Sequence, residues 1–277
     1  MNKYYVAVCQ MDSQNNKEEN LKTAGKMIDE NAAKGAKIIA FPEMMNYMGK
    51  GQRYQTEAIP GQTTDFLCQK AKEHGVWIVS GSFPEIHESG KPKNTLVLID
   101  PQGNIHCQYS KIHMFDICLD GASSFEESKT VTAGDDIVMA YTELGRLGFA
   151  ICYDLRFGEM FRLMALHGAQ IIFIPSSFTA NTGKDHWETL LRTRAIENGV
   201  YIVAPNQIGH KSTMDAFGNS MIIDPWGNII AKAEDKPCSI MAEIDPDYIQ
   251  KVREQIPSLD NRRNDIYAVA GSHIKIY

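Results

Sequence analysis

Cys152 ends one kind of sequence and begins another. Before it, Leu147-Gly148-Phe149-Ala150-Ile151 is a short apolar run that reads as a buried strand; after it the chain turns polar through Tyr153-Asp154-Leu155-Arg156. Glu159 to His167, apolar at Met160, Phe161, Leu163, Met164 and Leu166, then reads as a helix. A thiol between strand and helix lies where an α/β fold opens a crevice lined by backbone N–H groups. There it can attack a carbonyl carbon while an N–H holds the oxyanion. Position alone leaves a second reading open, an inert core cysteine. Two more reactive types fall at strand ends. Glu43 follows Lys37-Ile38-Ile39-Ala40-Phe41 and its terminating Pro42, and Lys111 follows Ile105-His106-Cys107-Gln108-Tyr109-Ser110. A carboxylate can shuttle protons, and an ammonium can steady an oxyanion and lower a thiol's pKa. Together the three types fit acyl transfer. Periodicity by itself does not select them from 34 acidic and 28 basic residues.

The elements that must position them follow a regular order. Tyr4-Tyr5-Val6-Ala7-Val8-Cys9 reads as a first strand. Lys17 to Ala33 reads as a helix with Leu21, Ala24 and Ile28 on one face and Gly35 beyond its end. The run ending at Phe41 has the unbroken apolar character of a strand covered on both faces. Thr64 to His74 is the next helix and Val76-Trp77-Ile78-Val79 the next strand. Thr95-Leu96-Val97-Leu98-Ile99 then turns through Asp100-Pro101-Gln102-Gly103-Asn104 into the strand that precedes Lys111, an antiparallel hairpin. The stretch from His113 to Asp136 reads as a long functional loop.

From Leu147 the same words return. Gly35-Ala36-Lys37-Ile38-Ile39-Ala40-Phe41-Pro42 matches Gly168-Ala169-Gln170-Ile171-Ile172-Phe173-Ile174-Pro175. Gly75-Val76-Trp77-Ile78-Val79 matches Gly199-Val200-Tyr201-Ile202-Val203, and Asp100-Pro101-Gln102-Gly103-Asn104 matches Asp224-Pro225-Trp226-Gly227-Asn228. In both copies 25 residues separate the glycine from the aspartate. Equal order and spacing predict two halves related by a pseudo-twofold. Stacked face to face with helices outside, they give an α/β fold: a four-layer αββα sandwich of two mixed sheets. Ser239 to Ile244 alternates as a strand, Asp247 to Glu254 reads as a short helix, and Ile256 to Tyr277 has no counterpart in the repeat. That tail is expected to wrap the domain or a neighbouring subunit. Residues 1–277 read as one domain.

Composition excludes several classes. With 43% hydrophobic and 22% charged residues, the chain has the make-up of a globular protein. A net charge of −6, with Arg262-Arg263 flanked by Asp260 and Asp265, argues against nucleic acid and anionic membrane as partners. No apolar run approaches the length of a membrane span. Six scattered cysteines without C-x-x-C spacing suggest free thiols and a cytoplasmic setting. Eight dispersed histidines give a metal site no support.

Phe41-Pro42-Glu43, Tyr109-Ser110-Lys111-Ile112-His113 and Ala150-Ile151-Cys152-Tyr153-Asp154-Leu155-Arg156-Phe157 together resemble the signatures of the nitrilase-like carbon–nitrogen hydrolases. Pro175-Ser176-Ser177-Phe178, Thr182-Gly183 with His186-Trp187-Glu188, Arg194 to Asn198 and Asp224-Pro225-Trp226-Gly227 extend the resemblance along the chain. It implies a Glu–Lys–Cys triad in an αββα sandwich, with neither metal nor organic cofactor. Carried over, Cys152 is the nucleophile, Glu43 the general base and Lys111 the oxyanion stabiliser, helped by the Tyr153 N–H. Glu127 matches a second glutamate that orients the lysine and substrate, with Glu126 beside it as the competing assignment. Phe178 and Thr182 are the substrate-binding candidates. Arg156 is expected to be a structural ion-pair partner.

Phe115-Asp116-Ile117 with Phe125-Glu126-Glu127-Ser128 looks most like the omega-amidase branch, which removes the terminal amide of short α-keto-acid amides such as α-ketoglutaramate. Ala204-Pro205-Asn206-Gln207 and Pro175 to Thr179 look more like deaminated glutathione amidases. The loop from Gln207 to Ala216 is shortened, and Asn219 stands where a histidine is usual. The implied partners are a small amide and water, with a homodimer or larger homo-oligomer as the assembly. Nitrile or N-carbamoyl hydrolysis by the same triad is the rival chemistry, and a non-catalytic scaffold that kept the fold is the rival of another class.

Overall fold

A computed structural model describes residues 2–51, 55–118, 124–212 and 214–277. The long stretch from His113 to Asp136 and the loop from Gln207 to Ala216 therefore lie only partly within the described residues. The first half runs β1 (Tyr4–Gln10), α1 (Lys17–Ala33), β2 (Ala36–Ala40), α2 (Gln62–His74), β3 (Trp77–Val79), β4 (Phe83–Glu85), β5 (Lys93–Ile99) and β6 (Ile105–Ser110). A ribbon of β7 (Asp116–Ile117) and β8 (Phe125–Glu126) leads out of it. The second half runs β9 (Ile137–Thr142), β10 (Gly145–Phe149), α3 (Gly158–Leu166), β11 (Ile171–Phe173), α4 (Ala180–Asn198) and β12 (Tyr201–Ala204). A second ribbon of β13 (Ile208–His210) and β14 (Asp215–Phe217) precedes β15 (Met221–Ile223) and β16 (Ile229–Lys232). β17 (Cys238–Ile244), α5 (Pro246–Gln255) and β18 (Ile274–Ile276) follow.

The strands form two mixed sheets, β17-β1-β2-β3-β5-β4 with β6 on β5, and β16-β15-β12-β11-β10-β9-β18. β1, β2 and β3 are parallel, as are β10, β11 and β12, and each set is flanked by antiparallel strands. The repeat read from sequence is reproduced to the residue. Ile78 pairs with Ile99 in one half, and its counterpart Ile202 pairs with Ile223 in the other. Asp100 and Asp224 make the same turn, each accepting two backbone N–H groups on Oδ1 and an asparagine amide on Oδ2. Gly75 and Gly199 end α2 and α4 in the left-handed conformation, which glycine adopts without steric cost.

Layering follows from alternation along the strands. Val6, Val8, Ile38, Leu96 and Leu98 face the second sheet's Leu147, Phe149, Ile171 and Phe173 in one shared core. Their neighbours Ala7, Cys9, Ile39, Val97 and Ile99 pack instead on Leu21, Ala24 and Ile28 of α1 and Leu67 and Ala71 of α2. α3 and α4 cover the far side of the second sheet through Met160, Phe161, Met164, Trp187 and Leu191. The order is helix, sheet, sheet, helix. Part of the tail wraps its own fold: β18 adds to the second sheet as a parallel strand beside β9.

Candidate active site

Four strand ends converge on one cavity. The Phe41 N–H bonds Val79 O, continuing β2 to Pro42 and delivering Glu43 beyond the sheet edge. The Lys111 N–H bonds Asn94 O just after β6. The Cys152 N–H bonds Pro175 O, tying the segment after β10 to the one after β11. The chain bends sharply at the reactive groups: Cys152 has φ +49° and Met44, next to Glu43, φ +56°, both costly for residues with side chains. Gly81 lets the chain pass that second bend, since a Cβ there would sit 2.1 Å from Pro42 O.

Glu43, Lys111, Glu127 and Cys152 all line a cavity of about 400 Å³. Lys111 is 2% exposed, and its ammonium lies 3.3 Å from Glu43 Oε1 and 3.1 and 2.8 Å from the two oxygens of Glu127. Burial works against that positive charge, but Glu127 and Glu43 outweigh it and hold the lysine well above its usual pKa. Glu43 is oriented at both oxygens, Oε1 also accepting from the Asn94 amide at 2.9 Å and Oε2 from the Ser177 N–H at 2.9 Å. Glu127 also accepts the Phe115 N–H at 2.7 Å. Glu126 pairs instead with exposed Lys129, so geometry separates the two neighbouring glutamates.

Cys152 is buried beside these charges. Burial and the Glu43 carboxylate push its thiol well above the usual range, against the lowering pull of Lys111 and the Ser177 N–H. The ammonium does act on the sulfur in the expected direction, yet burial outweighs it. Glu43 is the carboxylate beside the sulfur. Tyr153 lies in the first turn of a 3₁₀ segment, Cys152–Arg156, where N–H groups have no partner within the helix.

Phe178 and Thr182 both line the cavity. Phe178 packs on Trp187 at 5.0 Å, and Thr182 shares a hydrogen bond with Thr179, the N-cap of α4. The Thr-Gly-x-x-His-Trp run owes its glycine to packing, because a Cβ on Gly183 would sit 2.3 Å from the Phe217 ring. Asn219, at φ +56°, offers its carbonyl to the buried Trp187 indole at 2.8 Å. The cavity is also lined by Asn94, Met44, Met48 and Met214, which no sequence motif marks, and by Phe115 of the Phe115-Asp116-Ile117 run. Asn94 reaches Glu43 from 51 residues away with no local motif to mark it.

Arg156 departs from expectation. Among the described residues it forms an ion pair with no carboxylate. Its guanidinium lies 5.7 Å from the Tyr153 ring centroid, 5.5 Å from that of Phe178 and 3.4 Å from His186 Nδ1. Both rings belong to cavity-lining residues. A carboxylate partner was the expectation; aromatic faces took its place.

Among the described residues, Asp29, Glu73 and His74 are the grouping close enough to hold a metal ion, and the Lys70 ammonium already bonds both carboxylates, at 2.8 and 3.2 Å. None of the three lines the cavity. No helix among the described residues is long and apolar enough to cross a membrane.

A four-layer sandwich thus gathers an acid, an ammonium and a thiol where its strands end, around one cavity. The model of the carbon–nitrogen hydrolase family matches residues 5–254, and the chain belongs to that family. It is an amidase-type hydrolase of carbon–nitrogen bonds. It is 42% identical to the deaminated glutathione amidase of Synechocystis sp. over 95% of this chain and 99% of that one. It is also 42% identical to the omega-amidase NIT2 of Xenopus tropicalis, over 91% of this chain and 92% of that one. The crystal structure of the Caenorhabditis elegans NitFhit protein superimposes with a TM-score of 0.91 at 35% identity, over 98% of this chain and 68% of that one.

Proposed function

We propose that the protein releases ammonia from the terminal amide of a small carboxylate substrate through a Cys152 thioester, as an omega-amidase. The observation that carries this reading is the buried Lys111 ammonium, bonded to Glu43 and Glu127 in the cavity that Cys152 also lines. Glu43 takes the Cys152 proton as sulfur bonds to the amide carbon, and Lys111 with the Tyr153 N–H holds the resulting oxyanion. Glu43 returns that proton to the leaving nitrogen; the C–N bond breaks, ammonia departs and a thioester remains. Glu43 then takes a proton from water, whose oxygen attacks the thioester carbon. Collapse breaks the C–S bond, frees the carboxylic acid and returns the proton to sulfur.

The far end of an anionic substrate needs a donor. Arg156, without a carboxylate of its own among the described residues and lying against Tyr153 and Phe178, supports that role, with Thr182 as a hydroxyl partner. A second reading, deaminated glutathione as substrate, draws on the similarity to the cyanobacterial amidase. The cavity, about 400 Å³, favours it too, being in the range that holds drug-sized ligands and larger than a five-carbon amide fills.

The test is ammonia release from α-ketoglutaramate, deaminated glutathione, a simple nitrile and an N-carbamoyl amino acid, with intact-mass detection of an acyl group on Cys152. Turnover of the keto amide at least tenfold better than the others is expected. Preference for the nitrile or the carbamoyl compound overturns the reading, and no turnover with an unmodified Cys152 leaves the scaffold. We further read residues 1–277 as one hydrolase domain, which limited proteolysis should leave as one fragment. Six free cysteines support a reducing, cytoplasmic location. Exposed Ile256, Ile266 and Tyr267 support a homodimer or larger assembly, to be read by light scattering.

A further inference from the structure

Lys111 and Cys152 have neighbours that the chemistry above does not use. Tyr109 and His113 stand two residues either side of Lys111, and Asp154 stands two residues after Cys152. Asp154 is wholly buried at 0% exposure, and its carboxylate accepts four hydrogen bonds. Oδ1 takes the His113 N–H at 3.0 Å and His113 Nδ1 at 2.7 Å. Oδ2 takes the Tyr109 hydroxyl at 2.6 Å and the Ile151 N–H at 2.8 Å. Four acceptances fill a carboxylate's capacity, so no site is left for substrate or water.

The arrangement has a direction. Three of the bonds come from the segment that carries Lys111, and one from the turn that carries Cys152. Against a carboxylate acceptor, His113 Nδ1 is the donor of the 2.7 Å contact. The imidazole is further fixed by stacking on Phe157, 3.6 Å away with planes 7° apart. Around Asp154 the titratable partners are thus His113 and Tyr109, the phenol held protonated by burial and by the carboxylate beside it. Lys111 sits at the middle of a five-residue clip whose two ends close on one oxygen pair. That pair belongs to the 3₁₀ turn that Cys152 begins.

The geometry points to Asp154 as the positioning residue that sets the distance between the Lys111 ammonium and the Cys152 sulfur. The inference rests on the roles given above to those two residues. A reacting group displaced by about 1 Å costs on the order of 100-fold in rate, and the clip is the hydrogen-bonded tie between the two segments beside the cavity, alongside the ring contacts of His113 on Phe157 and Phe115 on Tyr153.

The experiment compares Asp154→Asn, Tyr109→Phe, His113→Leu and His113→Asn with the wild type, measuring kcat, KM, the burst of acyl-enzyme and the thermal midpoint. Asp154→Asn turns an NH₂ toward one of its donor pairs and should lower kcat about 100-fold. Tyr109→Phe and His113→Leu should lower it about tenfold, with KM within about threefold and a slower burst. His113→Asn, whose amide can replace the Nδ1 donor, should recover most of the loss. Wild-type kcat and burst in Tyr109→Phe and His113→Leu overturn the inference. So does a loss in which kcat and KM change together or follow only the fall in thermal midpoint. If Asp154→Asn does not fold, the other three variants decide. A wild type that never acylates Cys152 refutes the functional reading instead, which keeps the two failures apart.

Discussion

Lys111 stands closer to Glu127, at 2.8 Å, than to Glu43, at 3.3 Å, and it meets both oxygens of the first but one of the second. The ammonium is therefore anchored by one carboxylate and merely touched by the other. Such a division suits a site in which one acid must exchange protons while the cation stays still. In the mechanism proposed above, Glu127 holds the cation and Glu43 exchanges the proton.

Two isosteric changes separate these duties. Glu43→Gln should reduce kcat by about 10²- to 10⁴-fold with little change in thermal midpoint, since Lys111 keeps its bidentate partner. Glu127→Gln should lower both activity and thermal midpoint, because it weakens the pairing of a buried charge and the hold on the Phe115 N–H. Equal midpoints in a calorimeter for the two variants would contradict the division.

Cys152→Ala should abolish ammonia release and acyl-enzyme formation while the fold persists. Removing one sulfur from a site that opens on a cavity leaves little new void. A thermal midpoint within a few degrees of wild type, with turnover at background, is the expected pair of readings.

Arg156→Gln tests the far end of the substrate. KM should rise about 10- to 100-fold for an amide that carries a distal carboxylate and hardly change for a neutral amide of similar size. A similar rise for both substrates would make the arginine a packing residue of Tyr153 and Phe178.

Alkaline stability follows from two thiols that do not line the cavity. Burial pushes Cys9 and Cys107 up to about 12 from an ordinary value near 9. The native state then keeps protons that the unfolded chain gives up, so this stabilisation is complete below about pH 9 and declines as pH rises toward 12. Each thiol contributes a slope of up to about 1.4 kcal/mol per pH unit. Cys107→Ala should show a shallower fall of thermal midpoint between about pH 9 and 11 than the wild type; an unchanged slope would place the effect elsewhere.

Much of the architecture was legible because it is written twice. The apolar runs ending at Pro42 and Pro175, the glycines at 75 and 199 and the two Asp-Pro-x-Gly-Asn turns predicted strands, helix ends and hairpins that pair in matching register. The helix read over Lys17 to Ala33 has those bounds. What escaped was short or non-local. β4 and the two ribbons have two or three residues each, too few for a period to show. β9 went unread although Ile137-Val138-Met139-Ala140-Tyr141 is an apolar run of strand character, because it follows directly on the long stretch read as a loop. At the site, the motif residues were visible, but the reach of the Asn94 amide to Glu43 and the setting of the Arg156 guanidinium against Tyr153 and Phe178 depend on what the fold brings near. Local spacing carries no record of that.

β17 and β1 are neighbours in the first sheet although Gln10 faces Cys238 across the pairing. During synthesis, the strand nearest the start of the chain waits with an open edge until more than 220 further residues have been made. The first repeat thus takes its outermost strand from beyond the second. A fragment ending between the repeats should leave that edge exposed and aggregate. Joining the Cys238–Ile244 segment to it by a short linker should restore a soluble sheet.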